Sequence, residues 1–425
     1  MRNLQRLALG GCCAAFILLT AGCSGGGAGG GDEPIAAPVT SAVSPPTSTD
    51  LNPPLLTNPS PAAFPFNRQA LPTLRASAKK VFAHYLPSFP RSIDNLNPTV
   101  DYYTKEYLNP AGEGGKHAGN GGFIRERPAS RSVIAAADWA VQDCRAEVQR
   151  AADMGLDGFA YDLLSTDTTY RSRLSNMMSA AVSTDAGFKV LLMPDMTSEF
   201  GTFPANLKPY LKELATGPNN SSLYRLADGR LVISPFIAHV QTAAWWKSNV
   251  LDPLAADGIP VAFVPLFLDW KSHAAEFKNI SYGMSDWGAR EPINAANMQA
   301  WKAESVPYAS IWMSPVGFSD VRPNAFSFVE TEASKGCRNA WTSAIAGNAD
   351  WVQIISWNDF SEGSEIQPSS GIQSNAYKLN AYYLSWFKTG TAPAIVREQL
   401  HYLHRTHPVG TAPNLSKQTR AFRLA

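Results

Sequence analysis

Residues 135–163 read AAADWAVQDCRAEVQRAADMGLDGFAYDL, and this stretch decides the fold class. Its first part predicts a helix over Ala135–Met154. Gly155 follows, suited to the left-handed position just past a helix end. After a two-residue turn comes Gly158–Leu163, a short apolar run rich in aromatic residues, which reads as a strand. The same alternation extends in both directions. Candidate strands are Val81–Tyr85, Lys189–Pro194, Leu231–Ile237, Val261–Phe267, Ile280–Met284, Tyr308–Met313 and Val352–Ser356, with further helices over Asn294–Ser305 and Phe326–Ala346. Eight strands with helices between them predict an α/β fold of the (β/α)8, TIM-barrel type. A doubly wound open sheet is the alternative, but no Gly-rich nucleotide-binding turn follows the first strand. The first connection, from Pro87 to Ile134, contains a Gly-rich segment, Gly112–Gly122. A loop of that length in a compact domain is functional or mobile, and we expect it to face substrate.

Four domain segments are expected. Arg2 and Arg6 precede the apolar run Leu7–Thr20, too short to span a bilayer, and Leu19-Thr20-Ala21-Gly22-Cys23 has the form of a bacterial lipobox. Residues 1–22 are therefore expected to be a signal peptide, with Cys23 lipidated and tethering an exported envelope lipoprotein. Residues 23–74, rich in Gly, Ser and Pro, read as a disordered linker. The barrel domain spans 75–392 and a C-terminal extension 393–425. Beyond Cys12, Cys13 and Cys23, only Cys144 and Cys337 remain, and their separation is not readable from sequence. The 36 basic and 35 acidic residues leave a net charge of +1 without a basic block, which argues against nucleic acid as a partner. A monomer acting on polysaccharide is expected. No His/Cys spacing suggests a metal, and no cofactor is expected.

Active sites of such barrels form where strands end. Those ends carry His84 and Tyr85, Asp162, Asp195, His239, Asp286 and Trp287, Trp312, and Trp357-Asn358-Asp359. Carboxylates and aromatic rings together suit glycosidic cleavage, in which one acid protonates the leaving oxygen and a second carboxylate activates water or attacks carbon. The densest group is Trp357-Asn358-Asp359-Phe360-Ser361-Glu362-Gly363-Ser364-Glu365. The three-residue spacing of Asp359 and Glu362 permits either a retaining or an inverting separation.

This segment resembles the signature of family 71 glycoside hydrolases, the endo-α-1,3-glucanases or mutanases, and more distantly that of family 99 endo-α-mannosidases. Val81-Phe82-Ala83-His84-Tyr85, Met154-Gly155-Leu156-Asp157-Gly158-Phe159-Ala160, Phe263-Val264-Pro265 and Ser285-Asp286-Trp287 resemble family 71 segments in the same order. The resemblance implies hydrolysis of α-1,3-glucan, endo and inverting, without metal, by Asp359 and Glu362, with Glu362 as acid and Asp359 as base. It also draws attention to Asp157, whereas the position of strand ends favours Asp162. Glu365 competes for a catalytic role. A binding protein without turnover and an α-mannan hydrolase are the alternative readings.

Overall fold

The computed structural model describes residues 64–398 and the backbone of two short paired strands, Leu400–Tyr402 and Ala421–Arg423. The expected signal peptide, Cys23, most of the 23–74 linker and most of the 393–425 extension lie outside the described residues. No helix among the described residues is long and apolar enough to cross a membrane.

Nine strands form one parallel sheet: β1 Lys80–Tyr85, β2 Gly158–Leu163, β3 Lys189–Pro194, β4 Leu231–Ile233, β5 Val261–Phe263, β6 Leu266–Phe267, β7 Gly283–Asp286, β8 Ile311–Gly317 and β9 Trp351–Ile355. Their spatial order is β5-β4-β3-β2-β1-β9-β8-β7-β6. The two edges are thus chain neighbours, separated only by Val264 and Pro265. The Leu266 amide donates to Pro235 beside β4, and the Tyr282 amide, just before β7, donates to Phe263 of β5. The sheet is curled in the manner of a TIM barrel, with helices packed on its outer face.

Strand alternation explains how the two faces are filled. On β1, Val81, Ala83 and Tyr85 join the large outer core with the helices, while Phe82 lies in the inner cluster. On β2 and β3, Phe159, Tyr161, Val190 and Leu192 face outward, and Ala160, Leu191 and Met193 face inward. Trp351 of β9 meets Tyr224 at 5.6 Å and Tyr282 at 6.2 Å between ring centroids, flooring the curled sheet from three sides. Gln353 crosses the interior, its Nε2 lying 3.5 Å from Met193 Sδ.

The second and third strands fall where the sequence places them, and the others shift. Pro265, lacking an N–H, interrupts the run expected as a single strand over Val261–Phe267. Strand β4 stops at Ile233, ahead of Pro235. Strand β8 runs through Pro315 to Gly317, four residues past its expected end, because proline and glycine disguise its second half. The helix expected over Asn294–Ser305 is three short pieces, Pro292–Asn297, Met298–Ala300 and Trp301–Ser305. The one expected from Phe326 begins only at Lys335, because Val321–Arg322 and Ser327–Phe328 pair as a small hairpin. Cys144 and Cys337 are both buried free thiols.

Candidate active site

Alternation also positions the chemistry. His84 follows Phe82 by two residues, Asp162 follows Ala160, and Asp195 follows Met193, so all three sit on inward positions at the C-terminal end of the sheet. Each is 5% exposed or less. His84 Nε2 lies 3.3 Å from Asp162 Oδ2. Burial lowers the His84 pKa to about 4 despite the nearby charges of Asp359 and Asp195, which keeps the imidazole neutral at ordinary pH. Burial, reinforced by Asp359, pushes Asp162 well above the usual carboxylate range. Burial and then Asp162 raise Asp195 to about 7, although Thr197 donates two hydrogen bonds to it. Asp162, Asp195 and Asp359 thus act on His84 or on one another here, and burial favours the protonated form of Asp162 and Asp195.

Asp359 and Glu362 follow β9. Asp359 Oδ1 accepts three hydrogen bonds, from the Ser361 amide at 3.0 Å, the Ser361 hydroxyl at 2.6 Å and the Glu362 amide at 3.1 Å. This tight turn fixes both acids relative to one another. Burial first, and the Asp359 charge second, raise the Glu362 pKa to about 8. Arg322 opposes this, with its NH1 3.1 Å from Glu362 Oε1. Asp320 in turn holds Arg322 through two bonds of 2.8 and 2.9 Å. Buried Arg290 also acts on Glu362, and its NH1 donates to the Trp287 carbonyl at 2.6 Å. His84 Nδ1, Asp162 Oδ1 and Glu362 Oε2 are buried without a protein partner. Such atoms suit a ligand dense in hydroxyl groups. Trp287 supplies a half-buried ring edge-on to His84, with centroids 5.2 Å apart.

The remaining expected site residues are not brought into this group. Tyr85 stacks on Tyr161 at 5.3 Å and meets Phe159 in a tilted contact at 4.9 Å in the outer core. Trp357 is fully buried in that layer against Phe159, its indole N–H donating to Glu147. Trp312 lies near the start of β8, not its end, and packs on Trp270 at 4.9 Å. Asp157 sits at the opposite end of the sheet, ion-paired with Lys388 at 2.7 Å. Asp286 accepts the Trp270 and Gly288 amides and pins two turns. His239 stacks on His273 at 4.0 Å, and the charged groups acting on it are His273, Asp269 and Glu276. Asn358 clamps the long first loop: its Oδ1 accepts from the Leu86 amide at 2.7 Å, and its Nδ2 donates to the Leu86 and Phe89 carbonyls. Glu365 is fully buried, and burial first, then its pairing with Glu126, and lastly the charge of Asp359 raise its pKa well above the usual range. It is tied to the first loop through Glu126, while its Oε2 is buried without a protein partner.

Sequence reasoning missed Arg290, Asp320 and Arg322. Arg290 and Asp320 lie on irregular backbone after β7 and β8, and Arg322 on a two-residue hairpin strand, too short for periodicity to mark it. The long first loop is ordered on a small core of Phe89, Tyr103, Ile124 and Phe360, so it packs directly on the residue after Asp359. No group of three or more His, Cys, Asp or Glu side chains among the described residues is arranged to hold a metal ion.

The chain is 26% identical over 309 residues to the glucan endo-1,3-alpha-glucosidase agn1 of Schizosaccharomyces pombe, covering 65% of this chain and 70% of that protein. It is 24% identical to the ascus wall endo-1,3-alpha-glucanase of the same yeast, over 55% of each chain. It is 22% identical to a Penicillium rubens mutanase, over 64% of each. Among solved structures, the endo-alpha-mannosidase of family 99 from Bacteroides thetaiotaomicron shares the fold, with a TM-score of 0.54 at 13% identity over 72% of this chain and 97% of that one. The sequence profile of glycosyl hydrolase family 71 matches residues 131–423, more than half of the chain, and the protein belongs to that family.

Proposed function

We propose that this glycoside hydrolase cleaves α-1,3-glucan internally and with inversion, using Glu362 as general acid and Asp359 as general base. One arrangement carries the assignment: the turn in which Asp359 Oδ1 accepts the Glu362 amide holds the two acids side by side, with Glu362 Oε2 buried without a protein partner. Burial together with the Asp359 charge favours the protonated form of Glu362. A protonated carboxyl beside a second carboxylate is the division of labour glycosidic cleavage requires. Glu362 delivers its proton to the glycosidic oxygen as the anomeric C–O bond breaks. Asp359 takes a proton from the water whose oxygen bonds to that carbon from the opposite face. Oδ1 of Asp359 is occupied by three donors, which assigns Oδ2 to the water. Protonated Asp162, neutral His84 and Asp195 face the same space as hydrogen-bond partners for sugar hydroxyls, and Trp287 offers a ring for a pyranose face. The α-1,3 linkage is supported by the relatives' activity.

The architecture supports reading the curled sheet as a (β/α)8 barrel, with residues 261–267 forming a single strand interrupted at Pro265. The lipobox-like sequence at Cys23 supports an export signal over 1–22, a lipid anchor in the bacterial cell envelope, a tether over 23–74, a catalytic domain over 75–392 and an extension over 393–425. Monomeric action on an extracellular polymer fits this arrangement.

Incubation with insoluble α-1,3-glucan is expected to release reducing sugar, with α-mannan and α-1,4-glucan left untouched. Proton NMR taken within minutes is expected to show the β-anomer first. An initial α-anomer overturns inversion, and release from α-mannan alone overturns the linkage. A second measurement concerns Arg322. Its positive charge stabilises the Glu362 carboxylate, so Arg322→Ala raises the Glu362 pKa further. The wild-type alkaline limb of kcat/KM is expected near pH 8, and in Arg322→Ala it moves roughly one unit higher. A limb that stays put shows that Glu362 is not the acid.

A further inference from the structure

Among the described residues, Phe203 and Phe326 are the aromatic side chains that stand more than half exposed, at 59% and 55%. Exposed phenylalanine is costly to leave in water, and both occur on loops at the C-terminal end of the sheet. Phe203 lies between β3 and the helix Leu207–Thr216, on the loop that begins at Asp195. Phe326 sits at the tip of the hairpin after β8. In the sheet order, β3 and β8 are four strands apart. Around a ring of eight strands, with residues 261–267 counted once, that places the two loops opposite one another. His84 of β1, Asp162 of β2, and Asp359 and Glu362 after β9 belong to the strands between them.

The Phe326 hairpin is built onto the catalytic turn. The Val321 amide donates to the Glu362 carbonyl at 2.6 Å, the Ser319 hydroxyl donates to the Gly363 carbonyl, and Arg322 reaches the Glu362 side chain. Phe326 is four residues beyond Arg322, within roughly 13 Å along an extended strand. Its backbone is also left-handed, with φ of 49°. That conformation is unfavourable for a bulky side chain and is retained where the position matters. Ala118–Asn120 of the long first loop lie beside Pro323–Ala325 at the hairpin tip.

We propose that Phe203 and Phe326 are two sugar-stacking platforms at opposite ends of a cleft that crosses the barrel mouth over Asp359 and Glu362. This deepens the reading above and rests on it: the occupant is a glucan chain continuing past the cleaved bond in both directions. Eight tilted strands spaced about 4.8 Å apart give a mouth on the order of 15 Å across, several sugar rings wide. A ring at each end selects internal stretches of polymer over chain ends.

The test compares wild type, Phe203→Ala, Phe326→Ala and Phe326→Gly, with Val306→Ala as an exposed apolar control away from the mouth. Co-sedimentation with insoluble α-1,3-glucan and kinetics on α-1,3-linked oligosaccharides of increasing length are measured together. Each phenylalanine variant is expected to weaken sedimentation and raise KM by roughly five- to tenfold on long chains, with the effect growing with chain length. Phe326→Gly, freed of backbone strain, is expected to unfold at a higher temperature while binding as poorly as Phe326→Ala. Active wild type with phenylalanine variants matching Val306→Ala overturns the platforms. Wild type that sediments but releases no reducing sugar, with variants that fail to sediment, overturns hydrolysis and keeps the platforms.

Discussion

Asp359→Asn and Glu362→Gln are each expected to lower kcat on α-1,3-glucan by roughly three orders of magnitude, with the fold intact. Both substitutions preserve shape. An Asn side-chain oxygen still accepts the Ser361 and Glu362 amides, so the turn survives, but the amide cannot take a proton from water. A Gln at 362 still offers an oxygen to Arg322 and has no proton to give. The roles separate with substrates whose leaving group needs little protonation. A fluoride or dinitrophenyl α-glucoside is expected to restore most of the rate to Glu362→Gln and little to Asp359→Asn. Rescue of Asp359→Asn instead exchanges the two roles. Retention of more than about a tenth of wild-type activity by either variant on the polymer removes that residue from the mechanism.

The site was legible wherever strand alternation reached it. His84, Asp162 and Asp195 follow inward-facing Phe82, Ala160 and Met193 by two residues, so a period of two counted along three well-marked strands finds them. It fails where the strand end is misjudged. Trp312 counts as a terminal residue only if β8 stops at Met313, and Pro315 and Gly317 hide four further residues of strand. Trp357 and Asn358 lie in the right segment, yet one is consumed by the helix layer and the other by the first loop. Sequence proximity to Asp359 says nothing about which direction a side chain takes through an irregular turn. Arg290, Asp320 and Arg322 come from loops whose backbone is set by tertiary contacts. The family resemblance pointed to Asp359 and Glu362 and also to Asp157, which the structure places at the opposite end of the sheet, because a motif marks a residue's presence and not its end of the strand.

Lys388→Met is expected to destabilise the domain by about 3–5 kcal/mol, lowering the unfolding temperature by roughly 10 °C, while leaving kcat of the folded enzyme unchanged. Lys388 lies near the end of the helix Asn375–Thr389, and its side chain is fully buried. Its Nζ donates to Asp157 Oδ2 at 2.7 Å and to the Gly155 carbonyl at 3.0 Å. Asp157 Oδ2 also accepts the Val81 amide at 2.7 Å, and Lys80 stands 3.9 Å from Oδ1. One ion pair thus ties the last helix to the starts of β1 and β2, at the end of the sheet away from the carboxyl cluster. Burial lowers the Lys388 pKa and the charge of Asp157 opposes this. Removing the lysine strands a buried carboxylate with only a distant second cation. Asp157→Asn costs less, because the amide oxygen still accepts from Val81 and Lys388 can shed its proton. The double variant Asp157→Asn/Lys388→Met is expected to recover part of the loss, since no unpaired charge remains. Thermal unfolding of the three variants reads the coupling, and glucan hydrolysis at 25 °C reads function. A collapse of kcat in Asp157→Asn with an unchanged unfolding temperature would return Asp157 to the active site; a fall in stability with kcat intact leaves Asp162 as the acid of β2 that faces substrate.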